Sequence, residues 1–218
     1  MEAALQSRTK VVFLDGIYAY GDANGLVDEN SPLVPNSRKG KAKKALSELI
    51  FSPQYEDIDK TLLRLPDYYG PSMRSATYLG MTLDGIANRQ LTFYVGPKNR
   101  VREYVYLPDA AKMVVNIALA SRAYNQVWNI PGQTITGNDL IKIAKQISGD
   151  TKPVLTLTKP LIRIVGLRDA NVGEIAEMYY LTRRPLYLSH HKYEAQFGPV
   201  PATPWQIGLT ATIKSMQK

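Results

Sequence analysis

Apolar positions along the chain change period several times. Val11-Val12-Phe13-Leu14 is a continuous apolar run that stops at Asp15-Gly16. Such a run suits a strand buried on both faces of a parallel sheet. After a loop carrying Gly21, Gly25, Pro32 and Pro35, apolar residues recur at helical spacing as Ala42, Ala45, Leu46 and Leu49. They predict a helix from about Arg38 to Phe51 with that stripe facing the core. Leu62-Leu63-Arg64-Leu65 is a second strand, ended by Pro66. Strand, helix, strand in this order predicts a βαβ unit with parallel strands and a right-handed crossover.

Further along, the pattern predicts a helix over Thr77 to Asn88, a strand over Gln90 to Val95 and a helix over Asp109 to Ala120. Asp109 stands where a helix cap accepts backbone amides. A short strand, Val127 to Ile130, follows. Thr136-Gly137-Asn138-Asp139 has the form of a capping box, and the helix it opens carries Leu140, Ile143, Ala144 and Ile147 on one face before stopping at Gly149. Beyond Lys152, six prolines break the chain into short pieces, with helices predicted over about Asn171 to Leu181 and Trp205 to Gln217. The element order gives an α/β protein, with an irregular tail of the kind that shapes a ligand cleft.

Composition narrows the chemistry. The chain has 218 residues and no cysteine, so disulfides, thiolate metal sites and cysteine nucleophiles are excluded. His190 and His191 are its two histidines, too few for a histidine-built zinc site. No run of apolar residues is long enough to span a membrane, and the first residues carry no signal-peptide core. A cytoplasmic location is the expectation. The net charge of +8 favours anionic partners. Arg38 to Lys44 holds five cations in seven residues but no interleaved aromatics, so phosphate contact or a solvated face is expected there before nucleic acid.

Three stretches in order carry a resemblance: Val12-Phe13-Leu14-Asp15-Gly16-Ile17-Tyr18-Ala19-Tyr20-Gly21, then Leu63-Arg64-Leu65-Pro66-Asp67-Tyr68-Tyr69-Gly70-Pro71, then Val101-Arg102-Glu103-Tyr104-Val105-Tyr106-Leu107-Pro108-Asp109. With Trp128-Asn129-Ile130-Pro131-Gly132 following, the chain resembles the extended short-chain dehydrogenase/reductases, the family of NAD-dependent epimerases and dehydratases. The resemblance implies a partial Rossmann-like parallel sheet over 1–132, with a lobe insertion at about 71–100, and a smaller C-terminal α/β substrate lobe over 133–218. It also implies NAD or NADP as cofactor, and a small-molecule or nucleotide-sugar substrate. A homo-oligomer is a further expectation.

The family opens with a glycine-rich turn that seats the dinucleotide pyrophosphate on a helix N-terminus. No G-x-G-x-x-G is present, and Gly16, Gly21 and Gly25 are wrongly spaced for one. The chain therefore resembles the family without its first half-sheet, as a fragment, an internal start or a natural short form. Aligning Leu46 to Ile50 with the family helix puts Lys44 at the ribose-binding lysine. The acid/base tyrosine and the serine then fall at Gly40 and Gly16, neither of which can move a proton. Asp15 and Tyr18 are the substitute acid/base candidates, with a turn aspartate as the structural alternative for Asp15. Gly16, Pro66, Asp67 and Tyr68 fall at the cofactor side by resemblance, or form a turn with Gly70. Arg102 matches an arginine that contacts the substrate diphosphate, or pairs with Glu103 or Asp109, and Tyr69 is placed with it at the substrate. Tyr179, Tyr180 and Tyr187 line the cleft or pack the core. Without the typical proton-transfer groups, a catalytically inactive nucleotide-sensing or interaction module of the same fold is the alternative.

Overall fold

The computed structural model describes residues 1–7, 9–71, 73, 77–166 and 176–217. In chain order its elements are α1 (Glu2–Ser7), β1 (Val11–Gly16), β2 (Gly25–Val27), α2 (Arg38–Ile50), β3 (Lys60–Leu65), β4 (Asp67–Tyr69), α3 (Tyr78–Ala87), β5 (Thr92–Val95) and β6 (Val101–Tyr106). They continue as α4 (Leu107–Leu119), β7 (Gln126–Asn129), β8 (Gln133–Thr136), α5 (Gly137–Ser148), β9 (Val154–Leu157), α6 (Lys159–Gly166), α7 (Tyr180–Arg183), β10 (Leu186–Leu188), α8 (His191–Phe197) and α9 (Trp205–Met216). The helix expected over Asn171 to Leu181 lies partly outside the described residues, and α7 covers its end.

The central sheet has the order β1-β3-β7, all parallel, with Leu14 beside Leu63 and Asp15, Arg64 and Asn129 in one row. Side chains of one row point to the same face. On one face Leu63 and Trp128 pack with Ala110, Met113 and Ile117 of α4. The opposite face lies under α2. A second sheet, β4-β6-β8, joins β4 and β6 in parallel and β6 and β8 antiparallel. Its core, around Tyr69, Tyr104, Leu140 and Leu209, brings α3, α5 and α9 together. Two parallel pairs, β2 with β10 and β5 with β9, tie the tail back to the body.

Three expectations change. β1 is the edge of its sheet among the described residues, and Leu14 is 61% exposed, so the run is not buried on both faces. The apolar stripe of α2 faces outward: Ala42, Ala45, Leu46 and Leu49 are exposed, while Gly40, Ser47 and Ile50 are buried. The sheet face beneath α2 carries Asp15 and Arg64, so the helix turns its polar side to them. Asp109 is not a cap. Helix α4 starts two residues earlier at Leu107-Pro108, and the Asp109 carboxylate instead accepts from the Thr203 amide at 2.7 Å and from Lys112 at 3.1 Å. By contrast α5 is capped as expected: Thr136 accepts from the Asp139 amide at 3.1 Å, and its hydroxyl meets the Asp139 carboxylate.

A core of this kind makes sharp distinctions between neighbouring leucines. Leu63→Ala, at a fully buried position, is expected to cost about 2–5 kcal/mol. Leu14→Thr at the sheet edge is expected to change stability by less than about 0.5 kcal/mol. Urea denaturation of both variants measures the contrast.

Candidate functional site

The site is built at the carboxyl ends of β1 and β3, where open parallel sheets receive ligands. At the β1 tip, Asp15 is buried, its side chain 1% exposed, and Lys43 Nζ of α2 lies 2.6 Å from Oδ1. The pair is a charge contact, since neither carboxylate oxygen receives a well-aligned hydrogen bond from a described residue. One strand inward, Arg64 is almost fully buried; its Nη2 donates to Ser47 Oγ at 3.2 Å, and its guanidinium lies 4.8 Å from the Tyr20 ring centroid. Tyr20 in turn donates to Asn129 Oδ1 at 2.9 Å. Lys43 and Ser47 stand one turn apart on the inward face of α2, so this polar row fixes the helix phase.

That phase decides which lysine reaches the strand tip. Lys44, expected at the ribose, lies on the outer side with its ammonium 3.9 Å from Glu48. Lys43 occupies the tip instead. Four residues before Lys43 stands Lys39, not Gly40, and its ammonium lies 4.8 Å above the Tyr18 ring. Gly40 has a packing reason of its own. A Cβ there would come within 2.6 Å of the Tyr18 carbonyl oxygen, so its absence lets α2 approach the tip. Gly16 is covered by the Tyr18 ring, which a Cβ would meet at 2.9 Å. Burial first, and then the Asp67 charge, hold the Tyr18 phenol well above its ordinary range, so it stays protonated near neutrality.

After β3, Pro66 is buried, Asp67 and Tyr68 are half-buried, and Asp67 accepts from Arg102 Nη2 at 3.0 Å. Arg102 is thus neither solvated nor paired with Glu103 or Asp109. Its Nη1 donates to the Val95 carbonyl at 3.2 Å, and its guanidinium lies 5.6 and 5.4 Å from the Tyr94 and Tyr104 rings. Burial opposes its charge, but Tyr104, Tyr94 and Asp67 outweigh that and keep it cationic. Tyr69, expected at the substrate, is fully buried against Trp205, with ring centroids 4.9 Å apart. Strand alternation turns it from the cleft into the core.

Glu103, beside Arg102, accepts from the amides of Gly132 at 2.7 Å and Leu188 at 2.8 Å, pinning β10 to the second sheet. Burial outweighs those two donors and raises its carboxyl to about 7.

After the carboxyl ends of β5 and β9 lies a cleft of about 730 Å³ lined by Arg100, Lys159, Arg183 and Arg184, with Asp22, Tyr179 and Tyr180 in its walls. Arg184 pairs with Asp22 at 3.3 Å. Tyr179 is mostly buried, packing with Val95 and Ile162, while Tyr180 is half-exposed. Tyr187 lies elsewhere, donating to the Val101 carbonyl. The four cations come from three separated segments, and the Arg183-Arg184-Pro185 run was the one local sign of them in the sequence. Among the described residues no cluster of metal-holding side chains occurs, and no helix is long and apolar enough to cross a membrane.

Parallel strands with covering helices define a Rossmann-like α/β protein. The chain belongs to the NAD dependent epimerase/dehydratase family, whose model matches residues 1–130. A Methanocaldococcus jannaschii protein provisionally named a UDP-glucose 4-epimerase is 32% identical over 148 residues, covering 64% of this chain and 47% of that protein. Among solved structures, the fold is similar to a Bacillus cereus UDP-glucuronic acid 4-epimerase with NAD. That match has a TM-score of 0.78 and 19% identity, over 99% of this chain and 62% of that one. It is likewise similar to a Thermotoga maritima UDP-glucose 4-epimerase with UDP-glucose, with a TM-score of 0.75 and 23% identity over 98% of this chain and 65% of that one. The chain thus spans about half the length of the curated relative and under two thirds of these structures.

Two tests follow. Lys43→Met strands a buried carboxylate and is expected to cost about 3–5 kcal/mol, whereas Lys44→Met changes stability by less than about 0.5 kcal/mol. Glu103 holds its proton more tightly folded than unfolded, because its carboxyl rises from 4.5 to about 7. Its contribution is therefore full below about pH 4.5 and lost as pH rises through 7, a fall of roughly 3 kcal/mol. Urea titrations across that range should show the slope, and Glu103→Gln should flatten it.

Proposed function

We propose that this chain is the substrate-binding part of an atypical epimerase/dehydratase-type protein, taking a nucleotide sugar in the basic cleft and NAD or NADP against the strand tips. The observation that carries the reading is the cleft itself: four cations beside the carboxyl ends of parallel strands, in a member of this family. On this reading the domain boundary falls near residue 132, with the cleft walls drawn from both parts. The relatives named above act on or hold uridine-linked sugars by name, which supports the same substrate class.

The tip residues fit the nicotinamide end of a dinucleotide only in part. Lys43 keeps 29% of its side chain exposed and can reach a ribose at the β1 tip, and Gly16, Pro66, Asp67 and Tyr68 are the further cofactor-side candidates on this reading. Nothing in the sequence supplies the glycine-rich turn for the pyrophosphate. A bound NAD(P) would supply reversible oxidation of a sugar hydroxyl. The chain's own contribution is to orient the sugar and to hold charge near it. Tyr18 and Asp15 are the proton-handling candidates at the tip, and both are constrained, Tyr18 by its raised phenol and Asp15 by burial under Lys43.

That constraint favours a second reading, a catalytically inactive nucleotide-sensing or interaction module. The exposed stripe Ala42, Ala45, Leu46 and Leu49 on α2 suits a second copy of the chain, which makes a homo-oligomer part of the proposal.

Calorimetry with UDP-glucose tests the binding claim. The chain should bind it with an affinity that weakens in salt, and Arg183→Glu with Arg184→Glu should reduce binding at least ~10-fold. Undetectable UDP-glucose binding sinks the reading. Conversion of UDP-glucose to another sugar nucleotide in the presence of NAD, followed by chromatography, supports the enzyme, and its absence despite binding supports the inactive module.

A further inference from the structure

Asn24-Gly25 is the one Asn-Gly step in the sequence, and the fold leaves it open. Asn24 lies on the loop into β2 and is exposed, and among the described residues no hydrogen bond holds its side-chain amide. Gly25 has a φ of +96°, and no atom lies within 4 Å of the place a Cβ would take. The residue after Asn24 therefore neither stiffens the backbone nor shields its own amide nitrogen with a side chain. That nitrogen donates to the Pro185 carbonyl at 3.2 Å, at the start of the β2–β10 pairing. The contact stands at the end of a strand of only 3 residues, where pairing opens at least cost.

We propose that Asn24-Gly25 is a self-modifying site, at which the chain converts its own asparagine to an acid and so adds negative charge to the wall of the basic cleft. When the Pro185 contact opens, the Gly25 nitrogen attacks Asn24 Cγ. The bond from Cγ to the side-chain nitrogen breaks, ammonia leaves with the Gly25 proton, and a cyclic imide closes between the two residues. Water then opens either carbonyl of the imide. The product is aspartate at 24, or an isoaspartate whose main chain runs through the former side chain. A water enters and an ammonia leaves, with no oxidant or reductant. Arg184 lines the cleft, precedes Pro185 and pairs with Asp22 at 3.3 Å. A carboxylate at 24 stands on the same loop as Asp22 and against the same stretch of chain. It lowers the positive potential that Arg184 lends to the cleft. Isoaspartate also lengthens the backbone at the entry to β2 and disturbs its pairing with β10. The site is thus a one-way timer that weakens the cleft's attraction for anions as the protein ages. Its effect on a ligand rests on the nucleotide-sugar reading, whereas the conversion itself does not.

In the experiment the folded chain is held in mildly alkaline buffer while peptide mapping by mass spectrometry follows every asparagine. Acid at 24 is expected to accumulate ahead of acid at any other asparagine, part of it labelled by an isoaspartyl methyltransferase, and the label is lost from that peptide in Asn24→Ser. An Asn24 that keeps its amide in the folded chain but loses it in urea overturns the proposal, because the Pro185 contact then protects it. Conversion led by another asparagine overturns it as well. The charge effect is read by calorimetry with UDP-glucose on the fresh chain, Asn24→Ser and Asn24→Asp. Asn24→Asp is expected to bind roughly twofold to fivefold more weakly than the other two at low salt, with the difference fading as salt is raised. Equal affinity of the three overturns the timer. Binding by none of them sinks the nucleotide-sugar reading, and the mass measurement still decides the conversion.

Discussion

One buried charge sets the arrangement of this molecule. Asp15 ends the first strand with a carboxylate that water cannot reach, and a carboxylate in that position must be met by a cation. Lys43 meets it at 2.6 Å. Arg64, in the same row one strand over, is buried as well and takes Ser47 and the Tyr20 ring as partners. Helix α2 lies over this row and has to present Lys43 and Ser47 to it. Once that face is committed, its leucines have nowhere to go but outward. The exposed stripe and the position of Lys39 over Tyr18 both follow from that commitment.

The same commitment shapes the chemistry available at the strand tip. A lysine that neutralises an aspartate is less free to lower the pKa of a neighbouring hydroxyl, and Gly16 offers no hydroxyl at all. Tyr18 folds back over Gly16 and is kept protonated by burial. Charge that could act on a ligand is concentrated a short distance away, in the cleft between α6, α7 and the loop before β6. The tip is thus electrostatically closed on itself while the cleft is electrostatically open, and binding is better provided for than proton transfer.

Much of the fold could be read in advance from residue patterns. The apolar runs at Val11 and Leu62 gave parallel neighbours, and the capped helix from Gly137 to Ser148 was legible to its ends because Thr136, Asp139 and Gly149 carry local signals. Helix α2 was found but turned the wrong way. Counting leucines assumes that the apolar side faces inward, and nothing local announces that the strand beneath carries Asp15 and Arg64. One residue of phase then put Lys44 in the position at the strand tip that Lys43 occupies. Asp109 and Tyr69 were misplaced for similar reasons, since a helix that begins two residues early and a strand that alternates each redirect one side chain. The cleft cations were invisible as a group because Arg100, Lys159 and the Arg183-Arg184 pair are joined only by tertiary packing.

A double-mutant cycle between Asp15 and Lys43 tests this account most directly. Stability would be measured by chemical denaturation for Asp15→Asn, Lys43→Met and the double variant. The account predicts a coupling of about 1–3 kcal/mol, the double variant being far less damaged than the two single losses added together. Losses that add to within about 0.5 kcal/mol would contradict it, because α2 would then owe its orientation to something other than this pair.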